Sequence, residues 1–180
     1  MTPEELDNLL LSNEDERLEF KAARSSFSFD RLVEYVVAIA NEKGGKIILG
    51  VSNDPPRRVV GTSAFINFEE LKLKISQRTA MRVAIEEVNH PNGRVLVFSV
   101  PSRPLGTPLE IDGKYLMRLG ESLVAMSPDQ IRSILDETFQ DFTSEIIPVQ
   151  NNIFEQDICP THSVKFRCFV ARKMIEAAFC

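Results

Sequence analysis

The sequence predicts an α+β fold, a mixed and largely antiparallel sheet with helices mainly on one face, and three observations carry that prediction. Residues 46–51 are apolar without alternation, as a central strand covered on both faces requires. They follow at once on a stretch whose apolar residues Leu32, Val33, Val36, Val37 and Ala40 recur at helical spacing. Two later segments read as hairpins, one closed by Asp112-Gly113, a turn pair whose twist matches that of the strands.

Taken in order, residues 3–11 predict a short amphipathic helix with Leu6, Leu9, Leu10 and Leu11 on its apolar side. Residues 17–21 alternate as a strand, with Leu18 and Phe20 facing inward and Arg17, Glu19 and Lys21 outward. Asp30 is placed to cap the next helix, and Gly44 or Gly45 to stop it with left-handed backbone. Prolines 55 and 56 mark a loop, and residues 57–60 a short strand. Asn67 with Glu70 resembles a capping box opening a helix to about residue 79. Residues 81–88 and 94–100 read as strands joined by a turn-rich linker, and residues 108–111 and 114–119 as the second hairpin. Ser127-Pro128-Asp129-Gln130 combines a capping Ser, Pro at the first helical position and Gln three residues after the cap. Beyond residue 142 periodicity stops and resumes over 162–178, so the expected division is a domain at 1–142 and a linker with a helical extension at 143–180.

The net charge of −5 is distributed unevenly: −6 over residues 1–16, +5 over 17–118 and −4 over 119–180. A basic centre between acidic ends can present a positive face to phosphate, because local potential rather than net charge steers ligands. No apolar run reaches the ~20 residues that a membrane-spanning helix needs. The acidic start lacks the basic-then-apolar order of a signal peptide, and the odd set Cys159, Cys168 and Cys180 reads as free thiols. Cytoplasmic residence is the expectation. His90 and His162 stand alone, which argues against a catalytic triad or a zinc site. The glycines at 44, 45 and 50 close a helix and open a strand, the reverse of a phosphate-binding loop.

Candidate phosphate contacts are Lys21, the Arg57-Arg58 pair after the prolines, and Lys74 and Arg78, which lie one helical turn apart. Each has an ordinary alternative as a solvated surface charge. Arg103, between two prolines, reads as a base on a rigid mount. With no Trp in the chain a stacking platform has little support; Phe27 and Phe29 after the first strand could contribute to one, but core packing is the better account of them. Asn41 caps the helix-to-strand corner or reads a ligand.

Four segments in order, Leu18-Glu19-Phe20-Lys21, residues 38–51 with Ala-Asn and Gly-Gly, Pro101 to Pro108, and Lys114 to Ser122, resemble the Schlafen AlbA_2 domain over roughly residues 12–140. That family sits at the N-terminus of many bacterial proteins assigned as transcriptional regulators. The resemblance implies nucleic-acid handling, DNA first, without catalysis or a cofactor, and it adds Arg118 to the phosphate contacts. In nuclease-active relatives two Glu five residues apart and a third carboxylate after Gly-Val bind a metal. Glu14 and Glu19 match the first two positions, but Asn53 stands at the third, with Asp54 one residue late. An amide oxygen brings no charge to Mg²⁺ or Mn²⁺. The alternatives are therefore a metal-dependent nuclease using Glu14, Glu19 and Asp54, and a protein-interaction or homodimerisation module.

Overall fold

The computed structural model describes residues 1–144. The expectations for the linker and the helical extension lie outside them, apart from the last turn of one helix. The chain divides into two units, Met1–Asp141 and Phe142–Cys180.

A four-stranded sheet is built from β1 (Leu18–Lys21), β2 (Gly45–Leu49), β3 (Ala84–His90) and β4 (Gly93–Val100) in the order β1-β2-β4-β3. β1 and β2 run parallel with Glu19 opposite Ile47, and the other pairings are antiparallel. A smaller antiparallel sheet contains β5 (Glu110–Ile111), β6 (Lys114–Leu119) and β7 (Ser122–Ala125). The helices are α1 (Pro3–Leu10), α2 (Phe29–Asn41), α3 (Phe68–Thr79) and α4 (Pro128–Ser144).

α2 organises both sheets. Every residue from Leu32 to Asn41 except Glu34 is buried, so the helix is apolar nearly all round, as a helix enclosed on all sides must be. Leu32, Val36 and Ile39 pack with Ile47, Leu49, Leu96 and Phe98 on one face of the large sheet, where α3 adds Leu71 and Ile75. Val33, Val37 and Ala38 pack against Ile111 and Leu116 of the small sheet. The opposite face of the large sheet, with Phe20, Ile48 and Val97, is covered by Leu6 of α1.

Several boundaries differ from the sequence expectation for identifiable reasons. Ser28 rather than Asp30 caps α2, its hydroxyl accepting the Arg31 N–H at 3.4 Å. β3 and β4 extend to His90 and Gly93, leaving Pro91-Asn92 as the turn, and the His90 Nδ1 accepts the Asn92 N–H at 3.1 Å. Residues 57–60 form only an isolated bridge between Val59 and Val51. β7 was not expected. The corner after α2 needs its glycines: Gly44 has a φ of +87°, and a Cβ on Gly45 would lie 2.0 Å from the Arg17 carbonyl oxygen. Asn41 does not cap that corner. Its amide nitrogen donates to the Leu109 and Leu116 carbonyls at 3.0 and 2.8 Å, and its oxygen accepts the Leu109 N–H at 2.9 Å, which ties α2 to the small sheet.

Candidate functional site

The site forms around β1. A tight turn bridges Asp15 to Leu18 and folds the preceding chain back, so the Glu14 Oε1 accepts the Phe20 N–H at 2.9 Å. This bend lets two carboxylates of opposite strand parity feel each other's charge. Glu19 projects toward α2 and β6 and is fully buried. One of its oxygens is paired with the Lys21 ammonium and the other with the Arg118 guanidinium. Arg118 is likewise fully buried and donates through Nη2 to the Asp15 carbonyl at 3.2 Å. The Tyr35 ring of α2 is flanked by cations, with Arg31 at 5.0 Å, Arg118 at 5.5 Å and Lys21 at 5.6 Å from its centroid.

On the other side of β1, the Arg57 guanidinium lies 4.7 Å from the Phe20 ring centroid. It donates to the Ser12 carbonyl at 3.1 Å and stands 3.9 Å from the Glu14 Oε1. The Asn53 Oδ1 accepts the Ala22 N–H at 3.0 Å, fixing the loop after β2 to the end of β1. Within ion-pair distance Lys21, Arg57 and Arg118 meet two carboxylates, Glu14 and Glu19, and the Glu16 carboxylate also feels the Arg118 charge. Burial raises the Glu14 carboxyl above its ordinary value, and the Glu19 charge adds to this against the Phe20 N–H and the nearby cations. Protonating Glu14 would shift the charge of the cluster in the positive direction. Burial draws the Lys21 ammonium down, but its bond to Glu19 and that residue's charge offset this and raise it overall, so it stays charged at neutral pH.

As arranged, these donors do not fit a divalent cation. Both Glu19 oxygens face cations of the chain itself, and Glu14 and Asn53 each use an oxygen on a backbone N–H. Asp54 is exposed on the loop. Among the described residues no group of three or more His, Cys, Asp or Glu converges as a metal site.

The proposed phosphate contacts separate into two groups. Arg57 and Arg118 have buried side chains, with exposures of 3% and 0%, and so present no surface to a phosphate as they are placed here. The outward placement expected for Glu19 is also corrected. The sheet is covered on both faces, so its alternation sorts residues between two cores rather than between core and solvent. Lys21 keeps 26% side-chain exposure, and Arg58, Lys74 and Arg78 are exposed. Arg103 is not an exposed base either: it is 7% exposed and holds Glu137 of α4 through two bonds at 2.8 and 2.6 Å. Tyr35, the ring at the centre of the cations, escaped sequence reasoning because its helical spacing marks it only as core. Its signal is that it is the sole tyrosine in an otherwise aliphatic helix core.

The family model described as Schlafen, AlbA_2 matches residues 14–127, the stretch that holds Glu14, Glu19, Lys21, Tyr35, Arg57 and Arg118. The chain belongs to the Schlafen AlbA_2 family. Among solved structures, this Schlafen AlbA_2 chain is similar to the DIP2311 protein from Corynebacterium diphtheriae, at 20% identity and a TM-score of 0.57 over 74% of this chain. It spans only 31% of that protein's length. It is also similar to the N-terminal domain of a protein from Nitrosomonas europaea described as related to the ATP-dependent DNA helicase RecG. That likeness has 21% identity and a TM-score of 0.49, and covers 71% of this chain and 91% of that one. None of the curated proteins matches the chain. No helix among the described residues is long and apolar enough to cross a membrane.

Proposed function

We propose that this Schlafen AlbA_2 domain is a nucleic-acid-binding module of a transcriptional regulator, with DNA as its first ligand. The observation that carries this reading is a set of cations that reach the surface, Lys21 at the end of β1 together with Arg58, Lys74 and Arg78. Lys21 is the cation of the β1 cluster that reaches solvent, where a phosphate can meet it. Arg58, Lys74 and Arg78 supply exposed cations for further phosphates. Such contacts position a strand without reading its sequence, so sequence choice belongs to a partner domain or to dimerisation.

The test is binding of labelled duplex DNA and of an RNA hairpin by the full chain across a salt series. With four phosphate contacts, log K falls against log salt with a slope of about −3 to −4. A flat response, or no binding at low salt, rejects the reading. Cleavage of either probe with Mg²⁺ or Mn²⁺ that is lost in Glu19→Gln would instead establish the nuclease.

A further inference from the structure

Beside α3 lies a cleft of about 630 Å³ whose apolar walls are Phe29, Phe65 and Leu71 and whose edge carries Ile66, Lys74 and Arg78. Its size lies within the range of small-ligand sites. Ile66 is 85% exposed at the mouth, unusual for so large an aliphatic side chain. Phe65 holds a φ of +52°, which is strained for a bulky residue. The strain is held by an edge-on contact to Phe98, with ring centroids 6.4 Å apart, and by Arg94, which donates to the Phe65 carbonyl at 3.0 Å. The chain thus fixes an aromatic in a costly conformation at the cleft.

The geometry points to an unpaired nucleobase, with its attached phosphate, as the occupant of this cleft. A base is flat and apolar on its faces, suiting the Phe29 and Phe65 walls, and polar at its edge, where Gln77 offers an amide. The phosphate falls to Lys74 and Arg78. Each of these cations has an exposed carboxylate partner, Glu70 at 2.6 Å and Asp112 at 2.5 Å, and solvent-exposed pairs of this kind are weak enough to yield to a phosphate. A purely apolar peptide would leave both cations and the amide without use. The inference rests on the nucleic-acid reading and adds to it a preference for single strands, which phosphate contacts alone do not give.

The experiment uses the full chain with three probes: an oligothymidylate carrying one 2-aminopurine, a blunt duplex of equal length, and 2-aminopurine riboside monophosphate. Stacking in the cleft quenches the 2-aminopurine and makes the single strand bind roughly tenfold tighter than the duplex. Phe29→Leu keeps an apolar side chain of similar size but removes the aromatic face. It is expected to lose most of the quenching and of the preference while leaving duplex affinity within about twofold. Ile66→Asn, at an exposed position, repeats the test should Phe29→Leu fold poorly. Quenching of the free monophosphate assigns the cleft to mononucleotides, and quenching confined to the strand assigns it to nucleic acid; both support the inference. Equal affinities with no quenching of either probe overturn it, and salt-dependent duplex binding would then survive as the phosphate reading alone. Quenching without duplex binding separates them the other way.

Discussion

Arg118 meets Glu19 where neither side chain reaches solvent, whereas Arg78 meets Asp112 with 45% and 60% of the two side chains exposed. Both pairs bring a guanidinium from one element to a carboxylate of another, so chemistry does not distinguish them. Burial does. In the interior each charge has lost its hydration and depends on its partner, while at the surface water replaces a lost partner at little cost. The first pair therefore holds β6 against β1 and α2, and the second leaves its arginine available to a ligand. The nucleic-acid reading follows this division, since it draws its contacts from the exposed set.

The sharpest way to break the comparison is to remove Arg118. Arg118→Met leaves Glu19 buried with only Lys21, itself partly exposed, and is expected to lower the unfolding free energy by about 3–5 kcal/mol. The double variant Glu19→Leu/Arg118→Met removes both charges and should recover most of that loss, because a well-packed apolar pair often equals a buried ion pair. Denaturant unfolding of the three proteins measures it. A single variant within 1 kcal/mol of the parent would show that the buried pair is not what holds the hairpin.

Arg103 and Glu137 stand between the two cases, with side chains 4% and 26% exposed. The hydrogen bond from Arg103 holds the Glu137 carboxyl below its ordinary value. A depressed carboxyl stabilises the fold above its unfolded pKa, and that contribution disappears as pH falls through the lower, folded value. Glu137→Gln is thus expected to cost up to about 1 kcal/mol at neutral pH, since solvent screens the carboxylate, with the difference shrinking at acid pH. Glu14 has the opposite sign. Its carboxyl is raised, chiefly by burial, so ionisation opposes folding and its burden grows as pH climbs above the ordinary carboxylate range. Stability of Glu14→Gln relative to the parent should therefore rise with pH where that of Glu137→Gln falls. Thermal melts from pH 3 to 8 compare the two slopes, and matching slopes would remove the assigned environments.

The same distinction explains what was legible in the sequence. Helical spacing located α2 and α3, and Asp112-Gly113 located the hairpin, whose two turn residues hold φ values of +50° and +74°. These are local properties, settled within a few residues. Nothing local separates the strand Leu18–Lys21 with one solvated face from the same strand covered twice, because Glu19 alternates with Phe20 in either case. Arg118, 99 positions later in the chain, decides the matter by arriving as a partner. The cleft was likewise half visible. Lys74 and Arg78 were placed on one helical face and Phe29 was marked as a candidate aromatic, but their meeting depends on Phe65, whose left-handed backbone has no signature in a phenylalanine.

The smallest expected effect on stability sharpens the comparison most for function. Arg78→Ala removes an exposed pair to Asp112 and should change the unfolding free energy by less than about 0.5 kcal/mol, since solvent screens both partners. If Arg78 is a ligand contact, the same substitution reduces the magnitude of the slope of log K against log salt by about one. Arg118→Met should show the reverse pattern, a large loss of stability and no specific loss of one phosphate contact in whatever fraction stays folded. Measuring unfolding and salt dependence on the same two preparations places each arginine on two axes at once. An Arg78→Ala protein that melts early yet keeps its full salt slope would mean that the exposed pair fastens α3 to the small sheet, and the division between structural and available arginines would then fail at the surface where it was drawn.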